Sequence, residues 1–194
     1  MQKIFYIFRH GQSSYNLSGR TQGQTNDSVL TPLGREQACL VGEKLRDKNI
    51  EIILCSPLLR AKQTAELANL ALGVPVSEDA RFTEVNVGEI EGMHYMEIQE
   101  KFGEKYRQWR SSDNRYENIR FAGGESKKEV RERVFAGLTD YALHSSHSVI
   151  AVSSHGIMLS QVLLALGLDA CDIPNGAVVC LAYRDGNWQF KGFI

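Results

Sequence analysis

Phe5-Tyr6-Ile7-Phe8-Arg9-His10-Gly11 is an apolar, aromatic and β-branched run that ends abruptly in a cation, an imidazole and a glycine. Its residue types predict a buried strand. Far downstream, Val149-Ile150-Ala151-Val152-Ser153-Ser154-His155-Gly156 repeats the form: an apolar run, a histidine, then a glycine. As two strands of one sheet, these stretches deliver two histidines to the same edge, an arrangement suited to chemistry on an anion.

Working outward, strand and helix patterns alternate. The polar, Gly- and Asn-rich stretch 11–28 is too long for an idle connection and reads as a functional loop. Thr31 then caps a helix with Pro32 at its first position; Leu33, Val41 and Leu45 share its inward face and it runs to about Lys48. Residues 52–55 form a second buried strand, broken at Ser56-Pro57. A helix over 57–72 follows, with Leu58, Ala61, Ala65 and Ala68 at helical spacing and a stop at Gly73. Residues 81–92 are irregular, 93–109 helical and 111–124 a polar excursion. Residues 125–144 form an amphipathic helix with Val130, Val134, Leu138 and Tyr141 or Ala142 inward. After the 149–154 strand and a helix over 156–166, residues 178–183 and 188–190 flank Asp185-Gly186 as a hairpin. Continuous apolar strands alternating with helices predict an α/β fold, a mostly parallel sheet covered on both faces, with the hairpin as an antiparallel edge. The expected architecture is a three-layer αβα sandwich in one domain, residues 1–194.

Bulk composition narrows the class. With 194 residues, 43% of them hydrophobic and 23% charged, the chain can bury one substantial core and is neither disordered nor fibrous. Lys+Arg 22 against Asp+Glu 23 leaves a net charge of -1, so no global field draws in nucleic acid or a membrane surface. An anion site must be a local cluster of cations. Cys39, Cys55, Cys171 and Cys180 are scattered without a C-x-x-C pair, which argues against a disulfide framework or zinc site and for a cytoplasmic setting. The N-terminal apolar run is too short for a signal peptide, and residues 149–168, interrupted by Ser153, Ser154, His155, Gly156 and Gln161, read better as strand, turn and helix than as a membrane span.

Ligands of open α/β sheets bind beyond the carboxyl ends of the strands. Arg9-His10-Gly11, Ser56-Pro57-Leu58-Leu59-Arg60 and His155-Gly156 all fall there, at junctions where free backbone N–H groups face a ligand. Two arginines and two histidines at one edge make an electropositive pocket whose natural occupant is a phosphoryl group, gripped bidentately by arginine. A metal site built on the two histidines lacks an H-x-H pair or a carboxylate at ligand spacing.

Arg9-His10-Gly11 with Ser13 and Asn16 resembles the signature of the histidine phosphatase superfamily, the phosphoglycerate mutase-like proteins. The similarity continues through Gly19-Arg20-Thr21-Gln22-Gly23, residues 27–34, residues 56–65, Glu84 with Gly88, Glu91 and Gly92, Gly123-Gly124-Glu125-Ser126 and Ser154-His155-Gly156. It covers nearly the whole chain in the expected order. The resemblance implies that His10 is the nucleophile, forming a phosphohistidine that splits one hard displacement into two easier ones. Arg9, Asn16, Arg60 and His155 would hold the phosphoryl oxygens, with Gln22, Gly23 and Gly156 as further phosphate-binding positions. Neighbouring Arg9 and Arg60 should help keep the His10 ring neutral, and a carbonyl beside it would set the tautomer. Glu84 matches the family's acid/base position; Glu89 and Glu91 are rivals on residue type alone, and only the family spacing selects Glu84. A phosphate dianion beside that glutamate would favour its protonated form at the outset. No cofactor and no metal are implied. One departure stands out: the family's usual glutamate after Arg-His-Gly is Gln12 here, which keeps shape and hydrogen bonding but drops a charge. Activity is expected to survive this with altered local proton affinities.

The family's mutases resemble one another in an Arg and a Tyr soon after the catalytic glutamate and in a longer insert with paired arginines. Here Glu84 is followed by Val85-Asn86-Val87-Gly88, and the segment to Ser126 is compact. Water is therefore the expected acceptor and a phosphatase the expected activity, with phosphoglycerate mutase the alternative. A catalytically silent binding protein is disfavoured because His10, Glu84, His155, Arg9 and Arg60 are all present. The expected partner is a small phosphorylated metabolite. Arg20, Gln22, Arg107, Arg110 and Arg115 are candidate rim contacts; substrate identity and oligomeric state stay open.

Overall fold

The computed structural model describes residues 2–169 and 172–194. Six strands, β1 (Lys3–Arg9), β2 (Ile52–Cys55), β3 (Val76–Glu78), β4 (Val149–Ser154), β5 (Val178–Arg184) and β6 (Asn187–Phe193), form one mixed sheet in the order β3-β2-β4-β1-β5-β6. Contacts among β3, β2, β4 and β1 are parallel, while β5 runs antiparallel to β1 and to β6, closing one edge as the Asp185-Gly186 hairpin requires.

Alternation along each central strand builds two cores. Phe5 and Ile7 of β1, Leu54 of β2, Ile150 and Val152 of β4 and Val179 and Leu181 of β5 point to one face. There they meet Val130, Val134 and Leu138 of helix α5 (Lys127–His144) and Met158 and Val162 of helix α6 (Gly156–Ala165). Phe8, Ile53, Cys55, Ala151 and Val178 point to the other face. They pack on Val41 and Leu45 of helix α2 (Pro32–Leu45) and on the alanine face, Ala61, Ala65 and Ala68, of helix α3 (Leu59–Leu72). A period of two with both faces apolar is the signature of a strand covered on both sides. The result is the α/β three-layer arrangement.

Element ends follow local chemistry, beginning with the short helix α1 (Ser14–Leu17), which Ser13 caps by accepting from Asn16 N–H. Thr31 caps α2 by accepting from Gly34 N–H, with Pro32 at its first position. Leu33 departs from expectation: it is 48% exposed, because α2 turns Gly34, Ala38, Val41 and Leu45 inward instead. Helix α3 begins at Leu59 rather than at Pro57, since Leu58 is extended and its N–H is taken by the Ser56 hydroxyl. Helix α4 (Tyr95–Arg110) is capped by His94 and broken at Gly103, and α5 begins with a Ser126–Glu129 capping box. Both Ala142 and Tyr141 pack inward on α5, the latter with its ring 6.2 Å from that of Phe82. Strand β3, all three residues exposed, carries no apolar alternation that a sequence reading could use. Cys55 is buried, Cys180 partly so and Cys39 exposed; Cys171 lies outside the described residues. Among the described residues no helix is long and apolar enough to cross a membrane.

Candidate active site

Strands β1, β4 and β2 are neighbours, and their carboxyl ends lie side by side, with Arg9 opposite Ser154 and Cys55 opposite Ser153. The chain leaves each end carrying a functional side chain: Arg9 and His10 after β1, Ser56 and Arg60 after β2, His155 after β4. His10, Arg60 and His155 are 2%, 1% and 0% exposed, so the arginine that starts α3 is no solvated surface cation.

The ring of His10 is held by its own backbone neighbour. Nδ1 lies 2.7 Å from the Gly11 carbonyl, an atom that can only accept, so Nδ1 carries the proton and Nε2 has a lone pair. Arg60 Nε–H donates to that Nε2 at 3.3 Å. Its other nitrogens donate to the carbonyls of Gly23 and Thr25 at 2.7 and 2.9 Å. One turn along α3, Thr64 Oγ1 accepts from Gly11 N–H at 3.1 Å and donates to the Arg60 carbonyl at 2.7 Å, tying the two segments together. Gly11 itself admits no side chain, since a Cβ there would stand 2.1 Å from the Gly34 carbonyl oxygen.

The second histidine is held differently. His155 Nε2 lies 2.7 Å from Ser56 Oγ, while Nδ1 is buried without a hydrogen-bond partner. Arg9 Nε is likewise buried and unpartnered, although its NH1 donates to the Ile173 carbonyl. Gly156 packs so closely that a Cβ there would stand 3.2 Å from Arg9 Nε. A buried donor without a partner is costly, and Arg9, which carries one, lines the cavity. The rings of His10 and His155 are 5.3 Å apart at 61°.

Electrostatics keep both rings neutral. Burial, then Arg60 and then Arg9 hold His10 well below the usual imidazole range. Burial comes first for His155 too, followed by Arg60, His10, Arg9 and Arg133. Burial pushes the Arg60 guanidinium down to about 10, which leaves it charged at neutral pH. Burial also lowers Arg9.

Glu84 is buried and lines the same cavity, whereas Glu89 and Glu91 do not. Its carboxylate accepts three backbone N–H groups at 3.0 Å: Val85 and Met158 on Oε1, Ile157 on Oε2. The last two belong to the first turn of α6, whose N–H groups have no partner within the helix. Sequence reading missed the clamp behind it. Arg133 donates to the Glu84 carbonyl at 3.0 Å and pairs with Glu125 at 2.9 Å, and Gln24 Nε2 donates to the same carbonyl at 3.0 Å. Asn175 was missed as well. It donates to the His10 carbonyl at 2.9 Å and to Asn16 Oδ1 at 3.2 Å, but in sequence Pro174-Asn175-Gly176 signals only a turn.

The remaining candidates divide. Asn16, Gln22, Gly23 and Gly156 all line the cavity. Asn16 Oδ1 also accepts from Ser13 N–H, Gln22 Oε1 lies 2.8 Å from the Ser13 hydroxyl, and the Gly23 carbonyl serves Arg60. Arg20 and Arg110 line it too, but Arg107 pairs with Glu104 and Arg115 with Asp113 away from it. Gln12 turns its side chain from the cavity to accept from the Thr31 hydroxyl at 2.9 Å. Among the described residues no group of three His, Cys, Asp or Glu side chains is placed to hold a metal ion.

A family model described as "Histidine phosphatase superfamily (branch 1)" matches residues 5–194. The chain belongs to the histidine phosphatase superfamily. Within that superfamily it is 33% identical over 196 residues to "Probable phosphoglycerate mutase GpmB" of Salmonella choleraesuis (strain SC-B67), covering 97% of this chain and 89% of that one. A mycobacterial glucosyl-3-phosphoglycerate phosphatase solved with VO3 superposes with a TM-score of 0.87 at 25% identity, over 97% of each chain. An Entamoeba histolytica phosphoserine phosphatase mutant in complex with phosphoserine superposes with a TM-score of 0.83 at 25% identity, over 98% of this chain and 96% of that one.

Proposed function

We propose that this chain is a phosphatase that hydrolyses a small phosphomonoester through a phosphohistidine on His10. The observation that carries the reading is the contact of His10 Nδ1 with the Gly11 carbonyl at 2.7 Å, which leaves Nε2 as an unprotonated nucleophile inside a cationic cavity. The phosphatase names of the superposed structures support the same activity.

In the first step the Nε2 lone pair attacks phosphorus as the ester P–O bond breaks, and protonated Glu84 gives its proton to the departing alkoxide. In the second, Glu84 takes a proton from water as the water oxygen attacks phosphorus, the P–N bond breaks and inorganic phosphate leaves. Charge on the phosphoryl oxygens in transit is met by Arg60, by Arg9 Nε and by His155 Nδ1, the last two being buried nitrogens without a hydrogen-bond partner. For His155 this requires the tautomer with the proton on Nδ1, which a hydrogen bond donated by Ser56 to Nε2 selects. The built-in cations make a metal unnecessary.

The test is release of p-nitrophenol from p-nitrophenyl phosphate in the presence of EDTA, abolished by His10→Ala. Activity that survives that substitution, or that stops with EDTA, overturns the reading. The name of the Salmonella relative favours a second reading, phosphoglycerate mutase. A mutase must hold a second anionic group, yet Arg110 of the cavity lining is paired with Asp172 at 2.8 Å, so an anion there meets a carboxylate as well as a cation. Interconversion of phosphoglycerates without hydrolysis of p-nitrophenyl phosphate would select the mutase.

A further inference from the structure

Residues 83–87, which carry Glu84, lie in neither helix nor strand, so their backbone groups must find partners elsewhere. The five successive carbonyls from Ala80 to Glu84 all have one. Ala80 accepts from the Thr83 N–H and hydroxyl at 3.2 and 2.8 Å, and Phe82 from the Ser154 hydroxyl at 2.8 Å. The other three, Arg81, Thr83 and Glu84, accept from the guanidinium of Arg133 at 2.9, 2.9 and 3.0 Å. Gln24 Nε2 shares only the last of these carbonyls, at 3.0 Å. The remaining N–H groups of Arg133 go to Glu125, from Nε to Oε1 at 2.9 Å and from Nη2 to Oε2 at 3.1 Å. All five donors of one arginine are thereby used.

Glu125 completes the fastening. Its Oε2 also accepts from Asn86 N–H at 2.9 Å, and its own N–H donates to the Asn86 carbonyl at 2.7 Å. Arg133 projects from α5, which lies hard against the 80–82 turn: a Cβ on Gly137, one helical turn further on, would stand 3.2 Å from Phe82 Cζ. The guanidinium therefore fixes where the Glu84 main chain runs, while Ile157 and Met158 N–H fix its carboxylate. Neither Arg133 nor Glu125 lines the cavity, so neither meets a ligand there.

We infer that Arg133, braced by Glu125, is a positioning residue that aims the Glu84 proton at the leaving-group oxygen. At that step the proton passes from Glu84 to the alkoxide as the ester P–O bond breaks and the bond from His10 Nε2 to phosphorus forms. Such a transfer demands hydrogen-bond reach, and a misplacement of about 1 Å costs on the order of 10²-fold. A lysine at this place would supply the charge but not a planar fork to three carbonyls and a carboxylate. The inference rests on the acid role given to Glu84 in the phosphatase reading, and a Glu84 variant run in parallel separates the two.

The experiment measures the ratio of kcat/KM for benzyl phosphate to kcat/KM for p-nitrophenyl phosphate in the parent and in each variant. A benzyl alkoxide needs a proton to depart, whereas p-nitrophenolate leaves without one, and kcat/KM reads only the steps through that departure. Glu84→Gln should lower the ratio by about 10²-fold or more, as loss of a general acid does. Arg133→Met should lower it by at least about tenfold, and Arg133→Lys should recover part of that loss. Added to Glu84→Gln, Arg133→Met should move the ratio no further, since the two act as one unit. Glu125→Gln keeps the shape, loosens the same fastening and is the second route if Arg133→Met fails to fold. Equal losses for the two esters overturn the inference, because a merely structural role slows both alike. A ratio that falls in Glu84→Gln but in no Arg133 or Glu125 variant overturns it as well, and leaves the acid role standing. A ratio that Glu84→Gln does not move removes the acid itself, and the inference with it.

Discussion

The two histidines of the candidate site hang from neighbouring parallel strands, one residue beyond each strand's carboxyl end, yet they are tied through opposite nitrogens. His10 is held at Nδ1 by the carbonyl of the next residue, a contact that needs only the local turn. His155 is held at Nε2 by Ser56, a residue 99 positions away that arrives from β2. A carbonyl dictates the proton's position and leaves a lone pair facing the cavity. A hydroxyl can donate or accept, so that ring can present a donor to the cavity instead. Position in the sheet thus makes the two rings neighbours, and the partner's chemistry makes them different.

The largest break in that comparison is removal of the ring with the lone pair. His10→Ala should lower kcat by about four orders of magnitude or more, as loss of a nucleophile does elsewhere. His155→Ala should cost about 10²- to 10³-fold, as for a charge-stabilising donor. Rapid-quench labelling with a phosphorylated substrate would then still find acid-labile phosphoenzyme in His155→Ala and none in His10→Ala. Equal losses with no phosphoenzyme in either would erase the distinction drawn here.

Removing Ser56 Oγ tests the tie rather than the ring. Ser56→Ala should lower kcat by about tenfold, because a buried imidazole loses one hydrogen-bond partner worth on the order of 1 kcal/mol and its tautomer control with it. KM should move less, and Ser56→Thr should recover part of the loss.

Folding stability offers a gentler probe. Both rings are held neutral in the folded chain, whereas free imidazoles protonate below about pH 6.5. In that window the unfolded chain binds more protons, so stability falls as pH falls. Each ring contributes a slope of up to about 1.4 kcal/mol per pH unit. Urea midpoints of the ligand-free protein between about pH 6.5 and 5.5 should decline, and His155→Gln should remove roughly half of the slope. A flat profile in the parent protein would mean that the rings already carry charge. The smallest effect belongs to Gln12→Glu: with the side chain turned to Thr31, kcat/KM should change by no more than about twofold, as for a partly exposed charge. A shifted pH–rate profile would show that the missing carboxylate does reach the rings.

The fold was legible because its strands alternate between two apolar faces, and because Thr31, Gly73 and Asp185-Gly186 carry unambiguous cap and turn chemistry. Arg9, His10, Arg60 and His155 were legible for a related reason: each lies within a few residues of a strand end. Glu84 was legible only through the family spacing, since it follows a 3₁₀ turn where three glutamates compete on residue type, and in the structure its contact with the first turn of α6 sets it apart from Glu89 and Glu91. Asn175 and the Arg133–Glu125 pair were hidden because they act through backbone carbonyls, which leave no mark on residue spacing. Leu33 misled for the same reason: the inward face of α2 is chosen by where Gly34 must sit.

That glycine has a consequence for how such a protein can diversify. A Cβ on Gly34 would stand 2.0 Å from the Gln12 carbonyl oxygen, and one on Gly11 would stand 2.1 Å from that of Gly34. Backbone meets backbone on this side of the nucleophile, so no side-chain adjustment can make room, and any substitution displaces the loop that carries His10. The opposite wall is made of side chains from α4 and the 111–124 excursion, where exchange changes shape without moving the reacting groups. Selection for new substrates in a mutant library should therefore collect its winners on that outer wall and return Gly11 and Gly34 untouched.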